Sequence, residues 1–311
     1  MRRNDEPRSN AGMRSYGALY KKTIGFIGGG NLAEALIKGL IASGASSPAN
    51  IVVSDRAAKR LVHIAETCEV KVLIENFEAA RIADIIFIAV KPKDAAGALK
   101  DIAPELNAGK LLISAAAGVT TNAITQWLTS GGTNNFRQGM HPPVIRAMPN
   151  TPVIVREGMT ALYAGEYAKK EHLKLAKTLF EAVGRVIVLE DESLMDAVTG
   201  LSGSGPAYIF LIMEALMNAG VKLGVPEKDA KTLALQTTLG AAKLAQESPQ
   251  TFAELRRMVA SPGGTTAQGL KKLEEGRLGE LLTAAVEAAA TRATEISREV
   301  SEPPSSAKKR G

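Results

Sequence analysis

One cysteine, three histidines and few aromatic residues are the first things this chain of 311 residues withholds. The lone Cys68 excludes an internal disulfide framework and suits a reducing compartment. His63, His141 and His172 stand in unrelated contexts, and no Cys/His/Asp cluster has the spacing of a metal site. No G-x-S-x-G elbow is present to carry acyl transfer. No apolar run approaches the ~20 residues of a membrane span, and the N-terminus lacks the apolar core of a secretory signal. These absences lead us to expect a cytoplasmic protein. They also remove the usual acid, base and nucleophile, so any chemistry falls to a bound cofactor that the protein positions.

The net charge of +6 suggests nucleic acid until it is located. Arg2, Arg3, Arg8, Arg14, Lys21 and Lys22 against Asp5 and Glu6 leave residues 1–22 at +4. Lys308, Lys309 and Arg310 against Glu302 leave residues 301–311 at +2. The body between is neutral and has no basic face to follow a phosphate backbone. Both tails are polar and are expected to be disordered.

The first half of the chain alternates strand-like and helix-like segments. TIGFIG (23–28), IVVSD (51–55), DIIFIAV (84–90), KLLISAAAG (110–118), VIRAMPN (144–150), MTALYAG (159–165) and GRVIVLE (184–190) read as strands. Several are apolar throughout, as in a sheet covered on both faces, and the alternation predicts an α/β, doubly wound parallel sheet. After residue 191 the strands cease and long Ala/Leu/Met-rich helices follow at 206–224, 226–248 and 278–300. Such helices, with little exposed polarity, are expected to pack against a second copy of the chain.

Gly28-x-Gly30-x-x-Ala33 follows a strand and opens a helix, the arrangement that cradles a dinucleotide pyrophosphate. Asp55 ends the second strand, where an acid accepts from ribose hydroxyls; Ser54 precedes it, and Arg56 with Asn76 is fit instead for a 2′-phosphate. That conflict leaves NADPH against NADH open. AVKP (89–92) and SAAAGV (114–119) end further strands beside the nucleotide, the second with only small residues, which leaves room for a flat ring. Lys91 serves either a ligand or solvent. The stretch ASPGGTTAQGL (260–270) is a second glycine turn running into a helix, where Thr266 is either a ligand contact or a helix cap.

Five blocks in order, GFIGGGNLAEAL, AVKP, MPNTP (148–152), TGLSGSGPAYIF (199–210) and ASPGGTTAQGLKKLE (260–274), resemble the pyrroline-5-carboxylate reductase family from about Thr23 to about residue 300. The resemblance implies an N-terminal Rossmann-type sheet domain at 23–191 and an all-helical dimerisation domain at 192–300, flanked by tails at 1–22 and 301–311. It implies reduction of 1-pyrroline-5-carboxylate to L-proline by NADPH or NADH, in a homodimer assembled to a decamer, with the partner's helical domain completing the site. The cofactor residues it implies are Ile27, Gly28, Gly29, Gly30, Asn31, Leu32, Ala33, Ser54, Arg56, Asn76, Ala89, Val90, Lys91, Pro92, Ala115, Ala116, Ala117 and Gly118. Glu192, Ser261, Gly263, Gly264, Thr265 and Thr266 are the implied substrate residues, with Thr266 orienting the ring nitrogen. Met258 stands where some relatives have a polar residue, and residues 130–143 look like a longer surface loop. A hydroxyacid reductase would need a lysine early in the helix at 206–224, where none occurs before Lys222. A nucleotide sensor on the same fold would not need the second glycine turn.

Overall fold

The computed structural model describes residues 16–130 and 141–301; the sequence expectations for 131–140, for the first fifteen residues and for residues beyond 301 lie outside it. Order begins earlier than expected. A short turn, α1 (Gly17–Tyr20), precedes the sheet, Leu19 is buried in the core, and Lys22 pairs with Asp84 at 3.2 Å.

Eight strands form one sheet: β1 (Ile24–Ile27), β2 (Ile51–Ser54), β3 (Lys71–Leu73), β4 (Ile85–Ile88), β5 (Leu111–Ser114), β6 (Val144–Pro149), β7 (Gly158–Ala164) and β8 (Gly184–Val188). Their order is β3-β2-β1-β4-β5-β6-β7-β8, with every neighbouring pair parallel except β6 and β7. The doubly wound parallel sheet expected from the sequence thus carries one antiparallel pair. Only residues 150–157 separate β6 from β7, too few for the dozen or so that a parallel crossover requires.

Successive residues of each central strand point to opposite faces. Ile24, Phe26, Ile85 and Phe87 enter one core, with α2 (Asn31–Ala42), α3 (Ala58–Cys68) and α7 (Lys170–Glu181) over it. Phe26 stacks on Phe87 at 4.7 Å, Phe180 meets Phe87 edge-on at 5.9 Å, and Cys68, the last residue of α3, is buried in the same core. Ile27, Ile86, Ile88 and Leu112 enter the second core under α4 (Asn76–Ile82), α5 (Pro92–Ile102) and α6 (Thr121–Ser130). The C-terminal end of α4 is held by Lys110, whose ammonium donates to the carbonyls of Ala80, Arg81 and Ala83 at 2.7–2.9 Å.

The chain divides into two compact units. The first runs to Gly203 and regains the chain from Ala289. It keeps α8 (Leu194–Val198) and a widened π-helical turn at Thr199–Gly203. The second, Ser204–Ala288, holds α9 (Gly205–Lys222), α10 (Glu227–Glu247), α11 (Phe252–Val259), α12 (Thr265–Glu275) and the start of α13 (Leu278–Ser301). Among its described residues only Ala230 and Ala234 are buried, while Phe210, Leu211, Leu239 and Phe252 are more than half exposed. Large apolar side chains left exposed in this number mark an interface.

Gly39 lies inside α2, where alanine would favour the helix by ~1 kcal/mol. A Cβ there would stand 2.6 Å from Val183 Cγ1 and 3.0 Å from the Val153 carbonyl oxygen. Overpacking of this kind costs roughly 1–3 kcal/mol, and a backbone oxygen cannot rotate away. Gly39→Ala should therefore lower the urea midpoint at constant slope, and a raised midpoint would show that sterics do not govern the position.

Candidate active site

β1 hands the chain to α2 through three glycines. Gly28 takes φ +99°, and its N–H donates to the Ser54 carbonyl at 2.8 Å. A Cβ at Gly28 would lie 2.9 Å from the backbone of Ala89, so the loop passes close over the end of β4 only because the side chain is missing. Gly30 then caps α2 with extended backbone and no side-chain acceptor, and a Cβ there would meet nothing nearer than 4.0 Å. The first amides of α2 thus open onto free space at the positive end of the helix dipole, which suits a pyrophosphate.

A cleft of about 450 Å³ begins at this loop. Of the expected cofactor residues, Gly28, Gly30, Arg56, Asn76, Ala89, Val90 and Lys91 line it. Asp55, Ala57, Lys93, Asp94 and Ala98 also line it. Except for Asp55, these additions were missed; the signal was Pro92, which starts α5 and so places Lys93 and Asp94 in a first turn at the cleft mouth. Asn76 is fixed on both sides, its Oδ1 accepting from the Ser54 hydroxyl at 2.9 Å and its Nδ2 donating to Asp101 at 3.1 Å. Arg56 pairs with the same Asp101 at 3.6 Å and is three-quarters exposed.

The side chains of the other expected residues are occupied in other ways. The Ile27 and Ala33 side chains are core, and Leu32 packs against the core. Ser54 is fully buried and orients Asn76 in place of a ligand. Asn31 is exposed at the helix start and Pro92 occupies the first turn of α5; neither lines the cleft. The Gly29 amide is already committed to Asp55 Oδ2 at 2.7 Å, while Asp55 Oδ1 accepts from the Ala57 amide at 2.8 Å. Arg60 grips the Gly29 carbonyl and also Glu34. Past β5, Ala115 and Ala117 are half-buried, whereas Ala116 belongs to the core. Gly118, at φ +74°, is covered by α13: a Cβ would lie 2.9 Å from the Ser297 amide and 3.1 Å from the Ala293 carbonyl oxygen.

The second glycine turn lies in the helical unit. Gly263 takes φ +72°, and the Gly264 amide donates to the Ser261 carbonyl at 3.0 Å, so Gly264 offers no free donor. Gly264 is the N-cap of α12 and supplies no side chain. Among the described residues the amides of Thr265, Thr266 and Ala267 find no acceptor. Thr266 is half-buried at the second helical position, its hydroxyl likewise without a partner among the described residues, which removes the cap alternative. Ser261, Gly263 and Thr265 are exposed.

Glu192, expected near the substrate, is tied to the sheet unit by both carboxylate oxygens. Its Oε1 accepts from the Thr121 amide at 2.8 Å and from Arg146 at 3.2 Å, and its Oε2 accepts from the Thr121 hydroxyl at 2.8 Å. Asn150 of the MPNTP block is also structural. It accepts from the Met159 amide at 2.8 Å and donates to the Ser202 carbonyl at 3.2 Å, fastening the π-helical turn to the sheet.

A parallel sheet that presents a glycine-lined cleft at the start of a helix is the arrangement of a dinucleotide-dependent oxidoreductase. The comparisons narrow this. A family model described as NADP oxidoreductase coenzyme F420-dependent matches residues 23–118, and one described as pyrroline-5-carboxylate reductase dimerisation matches residues 192–296. A pyrroline-5-carboxylate reductase of Pseudomonas aeruginosa is 40% identical over 89% of this chain and 97% of the relative. That of Arabidopsis thaliana is 38% identical over 88% of this chain and 95% of the relative. The solved pyrroline-5-carboxylate reductase of Coxiella burnetii matches with TM-score 0.78 and 43% identity, covering 89% of this chain and 98% of that one. The Plasmodium falciparum pyrroline carboxylate reductase with NADP bound gives 0.79 and 30%, covering 90% and 99%. The chain belongs to the pyrroline-5-carboxylate reductase family, and its helical segment is a dimerisation domain.

Lys38, with His63 and Arg60 assisting against the opposing effect of burial, holds the Glu34 carboxyl at about 2, well below the ordinary value of 4.5. Because the folded value is depressed, the stabilisation is present above the unfolded value and is lost as pH falls through the folded one. Wild type should thus exceed Glu34→Gln in urea stability at pH 7, with the gap narrowing below about pH 4.5 and closing near 2. A gap constant with pH would rule out the ion cluster as its source.

Proposed function

We propose that this chain reduces 1-pyrroline-5-carboxylate to L-proline, the final step of proline biosynthesis, with NADPH or NADH as hydride donor. The observation that carries the substrate side is the start of α12: three unoccupied amides beside an unpartnered hydroxyl. When bound, the nicotinamide supplies hydride for C5 of the cyclic imine. Thr265, Thr266 and Ala267 offer their N–H groups to the substrate carboxylate at the positive end of an eleven-residue helix. The Thr266 hydroxyl hydrogen-bonds the ring nitrogen and sets which face of the C=N bond is presented. A protonated imine already accepts hydride readily, so no strong acid is required of the protein.

On the cofactor side, Gly28 and Gly30 admit the pyrophosphate, and Asn76 with Arg56 meets the adenosine ribose or its 2′-phosphate. Ala89, Val90 and Lys91 border the nicotinamide-side ribose, and Ala115 and Ala117 the nicotinamide ring. The exposed apolar faces of α9 and α10 are covered by a second copy, whose helical unit supplies the substrate turn, and dimers assemble to a decamer. Cys68, a buried free thiol, accords with a cytoplasmic location.

The assay is oxidation of NADPH by the imino acid. Thr266→Ala should lower kcat/KM by about a hundredfold, as for loss of one preorganised donor. Binding of NADPH should stay intact, and Thr266→Ser should recover most of the rate. Unchanged kinetics in the alanine variant would remove Thr266 from the site.

A further inference from the structure

The loop after β5 is held from three directions. Ala115 donates its amide to the Ile88 carbonyl at 3.0 Å, which fixes the loop's start. Gly118 rests under α13. The loop's far end is Thr121, the first residue of α6, whose amide and hydroxyl both donate to the Glu192 carboxylate at 2.8 Å. Glu192 is kept in place by Arg146, whose side chain is 6% exposed and which also donates to Asp196 at 3.4 Å. Asp196 in turn accepts from the Thr294 hydroxyl on α13 at 2.9 Å.

We infer that Glu192 and Arg146 are positioning residues for hydride transfer: through Thr121 they fix the Ala115–Ala117 loop against which the nicotinamide ring is seated. The inference rests on the proposed placement of the ring beside this loop. Glu192 is suited to the task by chemistry and location together. A carboxylate at a helix N-terminus answers an amide that has no helical acceptor, and the dipole favours its charge. Arg146 cannot be left unpaired in its buried position, so it holds the carboxylate at a fixed point on β6. A ring displaced by a fraction of an ångström reacts more slowly without binding much less tightly.

Glu192→Ala leaves Arg146 its Asp196 partner, so the buried cation stays neutralised. Its kcat should fall by about tenfold with KM for the imino acid changed less than about twofold. Glu192→Gln, which keeps an oxygen for the Thr121 amide, should recover most of that loss. Thr121→Val, which removes only the hydroxyl bond, should fall between them, and combining it with Glu192→Ala should add nothing further. The fluorescence of bound NADPH reports the surroundings of the ring without turnover, and Glu192→Ala should alter it while the NADPH Kd moves less than about threefold.

A raised KM with kcat retained, losses that multiply in the double variant, or unaltered emission would each overturn the inference. Wild-type protein that binds NADPH yet does not turn over the imino acid would sink the proposed activity and leave the emission comparison to decide this one.

Discussion

A guanidinium buried at β6 is the constraint on which much of the sheet unit depends. Arg146 is nearly inaccessible to water, and removing one partner from a buried ion pair typically costs ~3–5 kcal/mol. The chain answers it from two carboxylates, Glu192 before α8 and Asp196 within it, and Thr294 on the last helix braces the second. This accounts for the unit's outline. Its boundary falls after Gly203 because α8 is tied to β6, and the chain rejoins it from Ala289 because α13 is tied to α8 and seated on Gly118.

The two glycine turns share one backbone device. Both α2 and α12 begin on a glycine cap with no side-chain acceptor, whereas α11 is closed by Thr251 and Glu254 in a reciprocal capping box. A side chain at the cap would satisfy the first amides and leave nothing for a ligand. What differs is the support. The α2 loop is braced from outside by Asp55 and Arg60; the α12 turn closes on itself through Ser261 and leaves the Thr266 hydroxyl beside the free amides.

Seven of the eight strands and the glycine cleft were legible because apolar runs bounded by glycine and proline are local signals. β3 was not, since Lys71–Leu73 is a three-residue edge strand with no buried residue. The reversal of β7 was readable from the eight-residue connection, though not from composition. Of the site, the backbone donors were legible as glycines. Which donors are free was not, because Asp55 takes the Gly29 amide across 26 residues and Glu192 takes that of Thr121 across 71. Gly118 reads as a site residue in the sequence for the same reason: a glycine demanded by an approaching helix and one demanded by a ligand look alike until the helix is placed.

Cys68 closes α3 against the same core that carries the Phe26–Phe87 stack, and it is the chain's one thiol. A thiol-specific reagent therefore meets a single target that becomes reachable only when that helix lifts from the sheet. Its modification rate is a built-in clock for opening of the nucleotide-side layer. Since Arg60 on the same helix grips the phosphate loop through Gly29, any ligand that steadies the loop should slow that clock.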